Sequence, residues 1–266
     1  MFQPLYVAAT GLNTFQDEMI DISNNLANAK TVAFKKGRTE KESLLYVEKT
    51  FDSKLAEAIK KANGLSSDSL EYGTGVRVTS TRKDFMQGTI ETTNQPMDLA
   101  IQGEGFFQLT LADGTPAYTR AGNFHIDNQG NVVDPNGRMM DPPITIPEGT
   151  TSVLVKQDGT VLVYINNSSE ATEIGQLVLA KFPNAPGLKS IGQNLFAQTD
   201  SSGEPLFGNP TQDNFGYIQQ GALEQSNVDV ISEMMRMIMV QRVFDTVTKA
   251  VSSYEAMLTT LERMKG

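Results

Sequence analysis

The sequence predicts an α+β protein in which paired N- and C-terminal coiled-coil helices flank an extended linker and a central all-β domain. Both ends of the chain carry apolar residues at alternating spacings of three and four, which is the a/d pattern of a coiled coil. The middle carries short alternating segments separated by Asp-Gly and Asn-Gly turns, which is typical of antiparallel sheet. The predicted boundaries are 1–35 for the N-terminal helix, 36–75 for the linker, 76–225 for the β domain and 226–266 for the C-terminal helix.

The N-terminal apolar stripe predicts the first helix of the pair. Asn24, Asn25 and Asn28 crowd its end, where asparagine caps or interrupts a helix. The stripe consists of Leu5, Ala8, Leu12, Phe15, Met19, Ile22 and Leu26.

The C-terminal stripe predicts a longer helix. Ser226 followed three residues later by Asp229 is a capping-box pattern, so we expect the helix to begin at Asn227 and to extend about 60 Å without a Gly or Pro. Either stripe alone is also typical of a core helix in a globular domain, but two stripes at opposite ends favour pairing with each other. The members of the second stripe are Met237, Val240, Phe244, Val247, Val251, Tyr254, Leu258 and Leu261.

Turn dipeptides divide the middle of the chain into predicted hairpins. They are Asp113-Gly114, Asn136-Gly137 and Asp158-Gly159. The alternation beside them predicts that Phe107, Leu109 and Leu111 share one face of a strand. Across the third turn, Val153 and Val155 are expected to lie opposite Val161 and Val163.

The chain lacks the residues that most enzymes use. It has no cysteine, and His125 is its one histidine, expected to be an exposed strand residue. Asp127–Asn131 predicts a turn rather than a calcium loop, and Gly103 and Gly105 predict a tight turn rather than a phosphate cradle. The net charge of −9 argues against nucleic acid. We therefore expect no catalytic residue, no cofactor and no metal.

The N-terminal residues also lack the basic start and unbroken apolar core of a secretory signal. No stretch approaches the roughly 18 apolar residues of a membrane span. If the protein leaves the cytoplasm, we expect export without a cleaved signal peptide, and no membrane insertion.

The segment SNNLANAKTVAFKK, residues 23–36, resembles the signature of bacterial flagellar rod and hook proteins. Ala33 stands where that signature has glycine, and alanine costs free energy there if the position needs a positive φ. The matching positions are Asn24, Asn25, Leu26, Ala27, Asn28, Thr31, Phe34 and Lys35.

Further strings are similar to the same family. Residues 220–244 resemble its C-terminal signature, including Ser226, Asn227, Val228 and Asp229. In the predicted β domain, residues 97–107 and 117–124 match as well, so the resemblance covers nearly the whole chain. The length, residues 73–76 and residues 187–195 are most similar to distal-rod members. Proximal-rod members usually have a shorter linker, and hook members a larger outer domain; both remain alternatives.

The resemblance implies a structural role in the flagellar basal body, where the axle crosses the periplasm. Such proteins form homo-oligomeric helical filaments in which the paired terminal helices line a hollow shaft, the β domain faces outward, and torque passes from motor to hook. The implied partners are proximal rod proteins, hook or hook-side axial proteins, the surrounding basal-body rings and the flagellar type III export apparatus. It implies no cofactor, no nucleic acid and no membrane insertion.

The linker adds one more expectation. Residues 51–62 predict a short charged helix, with Leu55 and Ile59 on its apolar face, and residues 51–69 are a candidate arm between subunits. A surface loop is the alternative.

Two other classes of protein also stay open: an enzyme with helical dimerisation arms, which the lack of a nucleophile–base pair disfavours, and a secreted adhesin or carbohydrate-binding module on a helical stalk. The second expects an exposed aromatic platform, and the chain has no Trp.

Overall fold

The computed structural model describes residues 3–50, 69–166 and 170–265, and it has a helix at each end and strands between them. Helix α1 is Gln3–Ala27 and helix α2 is Val230–Lys265. The strands are β1 Gly37–Ser43, β2 Tyr46–Thr50, β3 Ser69–Gly73, β4 Val76–Lys83, β5 Ile90–Thr92, β6 Leu99–Gln102, β7 Phe106–Thr110, β8 Pro116–Thr119, β9 His125–Ile126, β10 Val132–Val133, β11 Met139–Asp141, β12 Thr150–Val155, β13 Thr160–Ile165, β14 Ala171–Gln176, β15 Leu179–Lys181, β16 Lys189–Gly192, β17 Leu195–Ala197, β18 Leu206–Gly208, β19 Tyr217–Gln220 and β20 Ala222–Glu224. This order confirms the α+β class with terminal helices and a β-rich middle.

The chain divides into two compact units. The helical unit comprises Met1–Asn24, Gly37–Arg82 and Ile231–Gly266. The β unit comprises Asn25–Lys36 and Lys83–Val230. The chain therefore passes from one unit to the other four times.

Both helices are shorter than the terminal segments assigned to them. Helix α1 ends at Ala27, at the asparagines that predict its end, whereas the predicted N-terminal segment extends to residue 35. Helix α2 begins at Val230, not at Asn227, and its 36 residues extend about 54 Å. The predicted capping box at Ser226 is wrong, because the Ser226 hydroxyl accepts a hydrogen bond from the Val228 N–H at 3.3 Å, before the helix begins. Asp229 occupies the position preceding the first helical residue.

The strands of the helical unit replace most of the predicted linker. Strand β1 pairs with β4, which the sequence pattern had assigned to the β domain. Strands β2 and β3 form an antiparallel ribbon with Tyr46 opposite Gly73. Residues 36–75 are therefore largely paired strand where they are described. The predicted helix over 51–62, with Leu55 and Ile59, lies outside the described residues.

The β unit is built on a nine-stranded sheet whose main path is β16-β17-β8-β7-β11-β10-β9, with β15 joining β7 and β18 joining β15. All three predicted hairpins are confirmed, since β7 pairs with β8, β10 with β11 and β12 with β13. The glycine of each turn has a positive φ, between 78° and 82°. Val153 lies opposite Val163 and Val155 opposite Val161, as predicted.

The two faces of β7 enter two different cores. Phe107 and Leu109 belong to a large aliphatic core, and Leu111 packs against it, so the predicted shared face is confirmed. Phe106 belongs instead to an aromatic core, in which its ring lies 5.9 Å from the Phe182 ring and 5.4 Å from the Phe85 ring. Because successive strand residues point to opposite faces, one strand supports both cores.

Candidate functional site: the terminal helices and the motif junction

The predicted seam of α1 lies on its less exposed face. Ile22 is buried, with 1% of its surface exposed, and the other seam residues are half-buried. Tyr6 and Ile20, which are off the seam, are 60% and 67% exposed. The half-buried members are Leu5, Ala8, Leu12, Phe15, Met19 and Leu26.

The seam of α2 shows the same contrast over most of its length. Val240 is buried, whereas Leu261, the last member, is 61% exposed. The other seam residues are half-buried, and most of their neighbours are exposed. The half-buried members are Met237, Phe244, Val247, Val251, Tyr254 and Leu258.

An ion pair joins the two helices within the helical unit. The Glu18 carboxylate on α1 accepts a hydrogen bond from Arg236 on α2 at 3.1 Å, and it also pairs with Lys41 on β1. Burial disfavours the ionised form of Glu18, but Lys41 and Arg236 outweigh burial and hold the pKa of this carboxyl below its usual value. The Glu18 carboxylate on α1 therefore forms ion pairs with both α2 and β1.

A second apolar surface lies on α2 away from the seam. We call it the methionine patch, and it consists of Ile231, Met234, Met235, Ile238 and Met239. Each of these side chains is between 51% and 70% exposed. The first three turns of α2 are thus apolar on two faces, a pattern typical of a helix that is covered on both sides.

The N-terminal family motif leaves α1 and enters the β unit as a series of turns. The Asn28 N–H donates to the Asn25 carbonyl at 3.2 Å, and the Thr31 N–H donates to the Asn28 carbonyl at 3.1 Å. The Thr31 hydroxyl also donates to the Asn28 side chain at 3.1 Å. Asn25 is 1% exposed. The asparagines therefore end the helix, as the sequence pattern predicts.

Ala33 adopts the backbone conformation that its family position suggested. Its φ is +55°, in the left-handed region. Its N–H donates to the Glu224 carbonyl at 2.7 Å, and only 1% of its surface is exposed. The left-handed turn thus directs the motif onto β20, and the chain makes it with alanine although glycine suits this φ better.

The buried Glu224 carboxylate of one motif segment binds charged side chains from two others. Lys35 donates to Glu224 Oε1 at 2.6 Å, and Arg120 donates through Nε to Glu224 Oε2 at 2.8 Å. The Gly88 N–H adds a third hydrogen bond to the carboxylate at 2.9 Å. The side chains of Lys35 and Glu224 are 0% exposed, and that of Arg120 is 4% exposed. Such a network is stable only because nearly every charge has a partner.

The remaining donors of this network are also used. Lys35 Nζ donates to the Met86 carbonyl at 2.7 Å. The Arg120 guanidinium donates to the carbonyls of Gly103 and Gly105 at 2.8 and 3.1 Å. The two glycines have positive φ, which confirms the predicted tight turn. Their carbonyls therefore serve as acceptors for a buried guanidinium.

Burial and charge act in opposite directions on the two ionisable partners. Burial lowers the pKa of the Lys35 amine, and the attraction of Glu224 offsets only part of this effect. Burial also disfavours the Glu224 carboxylate, but Arg120 and Lys35 outweigh it and hold the pKa of Glu224 below its usual value.

Asn227 of the C-terminal motif hydrogen-bonds to the N-terminal motif segment and to residues 84 and 86. Its side-chain oxygen accepts from the Lys36 N–H at 2.9 Å, and its amide donates to the carbonyls of Asp84 and Met86 at 2.8 and 3.1 Å. Its own N–H donates to the Phe34 carbonyl at 3.3 Å. Asn227 therefore makes tertiary contacts and does not form the start of α2.

The structure thus brings two predicted motif residues, Lys35 and Asn227, to one place, while Val228 and Asp229 lead into α2 without entering the network. Glu224 and Arg120 were not singled out as site residues. The sequence contains an indication of their role, because each is a charged residue in a segment of predicted strand. Burying a charged side chain costs free energy unless it has a partner. The candidate arm residues Leu55 and Ile59 lie outside the described residues.

No catalytic constellation is visible in the described parts of the chain. His125 is exposed on β9, as predicted. The Asp127 carboxylate accepts from the N–H groups of Gln129 and Asn131, both at 2.8 Å, so this segment is a turn. Within residues 3–50, 69–166 and 170–265, no group of three or more metal-binding side chains occurs. No helix in those ranges is long and apolar enough to cross a membrane.

Comparison with known families agrees with the motif positions. Residues 5–35 match the family described as flagella basal body rod protein. Residues 100–163 match the flagellar hook protein FlgE/F/G D1 domain, and residues 219–264 match the flagellar basal body rod FlgEFG protein C-terminal region. The fold and the motif junction thus define a flagellar rod and hook protein.

Full-length relatives narrow this class. The flagellar basal-body rod protein FlgG of Buchnera aphidicola subsp. Acyrthosiphon pisum is 37% identical, with 99% of this chain and 100% of that protein covered. FlgG of Borreliella burgdorferi is also 37% identical, over 100% of this chain and 99% of that protein. FlgF of Caulobacter vibrioides is 31% identical, over 94% and 92%. The chain belongs to the FlgG family of flagellar basal-body rod proteins, which are structural, and it is not an enzyme.

Proposed function

We propose that this chain is a subunit of the distal rod that assembles helically into a hollow drive shaft and transmits torque from motor to hook. Family membership supports a structural rod subunit of the basal body. The finer assignment to the distal rod rests on full-length similarity to FlgG, which exceeds the similarity to FlgF. Nothing in the family supports an adhesin or a carbohydrate-binding module.

We further propose a coiled-coil pairing of α1 and α2, in which the two seams form the inner tube. In this arrangement the helical parts of residues 1–35 and 226–266 build the tube, the predicted linker 36–75 and β domain 76–225 lie outside it, and neighbouring copies cover what one copy leaves exposed. The Glu18–Arg236 pair and the half-buried seams support the pairing. The proposed partners are further copies of this chain, proximal rod proteins, hook-side axial proteins, the basal-body rings and the type III export apparatus.

The observation that carries the assembly proposal is the methionine patch. Fully burying one Leu, Ile or Met side chain contributes about 1.5–3 kcal/mol. The patch adds exposed apolar surface next to a seam that already occupies another face of α2. A helix with two apolar faces needs partners on both sides, and a hollow tube of packed helices provides them.

A charge placed on the α2 seam tests the proposed assembly. Val251 is half-buried, and Val251→Asp would bury an unpaired carboxylate in the tube, at a cost of about 3–5 kcal/mol per subunit. We expect no incorporation into rods and no swimming, with the β unit still folded. Ser253→Asp is the matched control, because Ser253 is exposed two residues away. Normal rods and swimming in the Val251→Asp strain would refute the seam assignment.

We propose that residues 51–69 form an arm that bridges axial neighbours and stiffens the rod. The β2–β3 ribbon that flanks this segment supports the proposal, because Tyr46 and Tyr72 are 64% and 42% exposed on it, and Leu45 beside it is 86% exposed. A straight shaft needs contacts that stop subunits sliding past one another. Leu55 and Ile59 would supply the apolar contact of the arm.

Deleting residues 51–69 tests the arm. We expect export and assembly to persist and the rods to become curved or flexible in electron micrographs of purified basal bodies. The double variant Leu55→Ser/Ile59→Ser should give the same flexibility without shortening the chain. Straight, rigid rods in both strains would show that the segment is only a connector.

A further inference from the structure

Residues 25–36 comprise the last three residues of α1 and the turns that follow it. Residues 32–36 of this segment hydrogen-bond to Asn194, Glu224 and Asn227 elsewhere in the β unit. We propose that Asn25–Lys36 is docked on the β unit before assembly, as a clasp closed by the Lys35–Glu224 pair and by Asn227, and that this clasp presets the points from which both terminal helices depart.

Burial and backbone bonding along the segment support a docked state. Ala33 and Lys35 are each 1% exposed and Phe34 is 8% exposed, so three consecutive side chains are inside the β unit. The Val32 carbonyl accepts from the Asn194 side chain at 2.9 Å, and the Ala33 N–H donates to the Glu224 carbonyl at 2.7 Å. An undocked segment would take the Lys35 amine from Glu224 Oε1 and the Ala33 N–H from the Glu224 carbonyl, and the loss of hydrogen bonds to these buried acceptors favours closure.

The clasp also brings together positions where the chain passes between the two units. Lys36 is the last residue before one such passage, and Asp84 is the second residue after the next. A backbone hydrogen bond of 3.0 Å and an ion pair of 3.4 Å join these two residues. Asn227, three residues before α2, bonds to both of them. Ala27, the last residue of α1, precedes the buried stretch by only six residues. The end of one helix and the start of the other are therefore tethered to a common anchor within the β unit.

This arrangement goes beyond the proposed rod function, and it does not depend on it. A subunit whose helix roots are already fixed needs to order fewer residues when it joins a filament, which lowers the entropy cost of assembly. The clasp would therefore be present in the isolated monomer, where it can be measured apart from any rod.

Hydrogen–deuterium exchange on the full-length monomer tests the clasp. Peptides covering residues 25–36 are compared with peptides covering β6 and β7, residues 99–110. We expect the amides of 33–36 to exchange within about tenfold of the core rate. Exchange more than about a hundredfold faster than the core would overturn the proposal, because the segment would then be undocked most of the time.

The variant Lys35→Met tests whether the clasp opens independently of the core of the β unit. In this variant the Glu224 carboxylate keeps Arg120 and the Gly88 N–H, so β6 and β7 should retain their exchange rates. Residues 33–36 should exchange at least about tenfold faster than in the native chain. Lys181→Met is the matched control, since it removes the half-buried Lys181 of the same unit from its pair with Glu104 and should leave the exchange of residues 33–36 unchanged.

Two results with Lys35→Met would contradict the proposal. Unchanged exchange of residues 33–36 would show that the ion pair does not close the segment. Loss of protection in β6 and β7 would show that Lys35 supports the whole core and not a separate clasp. Asn227→Ala provides an independent check, because it removes the side-chain bonds to Lys36, Asp84 and Met86 while Lys35, Arg120 and Glu224 keep their bonds to one another, and it too should speed exchange of residues 34–36 at least about tenfold.

Discussion

Ala33 offers the sharpest test of how the family motif turns into the β unit. A residue with a Cβ in the left-handed region costs about 1–2 kcal/mol, so Ala33→Gly removes that strain. The same change gives up the burial of one methyl group, about 0.8 kcal/mol, and adds unfolded-state entropy of about 0.5–1 kcal/mol. These effects nearly cancel. We expect the free energy of unfolding of Ala33→Gly to lie within about 1 kcal/mol of the native value.

Ala33→Val should behave very differently at the same position. A β-branched residue is a strong outlier at φ +55°, and its two extra methyl groups must enter a site that is 1% exposed. Together these effects should cost about 2–5 kcal/mol, or a fall in Tm of at least about 5 °C for a unit of this size. The assay is thermal and urea unfolding followed by circular dichroism. A stabilisation above about 2 kcal/mol in Ala33→Gly, or a neutral Ala33→Val, would refute the reasoning.

Two further predictions concern the β unit. The first is pH dependence: because the folded-state pKa of Glu224 lies below its ordinary 4.5, its stabilisation is present above pH 4.5 and is lost as the pH falls through the folded pKa. Glu224→Gln should be less stable by about 3–5 kcal/mol at pH 7 and should flatten the acid limb of stability against pH, and an acid limb parallel to that of the native chain would contradict this role. The second is a pair of glycine variants compared by urea denaturation. In Gly122→Ala the new Cβ would lie 1.6 Å from the Leu99 carbonyl oxygen, so we expect a loss above about 3 kcal/mol, whereas Gly137→Ala meets no atom and should lose only about 1–2 kcal/mol through its φ of +78°. Equal losses would show that backbone clash is not the limiting effect at Gly122.

The sequence by itself determined the elements whose causes are local. The a/d stripes predicted a helix at each end, because the spacing of three and four is a property of helical geometry alone. The Asp-Gly and Asn-Gly turns predicted three hairpins and the facing of the β12 and β13 valines across one of them, because a tight turn brings the residues on its two sides together. The missing glycine of the motif marked Ala33 as a position that would be strained if it needed a positive φ, and only the structure shows that its φ is positive.

The tertiary structure decided where those elements end and what the polar residues do. Ser226 and Asp229 have the spacing of a capping box, yet α2 begins at Val230 because the preceding Asn227 is held by Lys36, Asp84 and Met86, which are far away in sequence. The predicted linker becomes paired strand because β1 pairs with β4, which follows the β2–β3 ribbon in the sequence. Glu224 becomes the anchor of the motif because Lys35 and Arg120 approach it from positions 189 and 104 residues away. Local patterns carry no information about such encounters, since burying a charge is tolerable only when the complete fold supplies its partners.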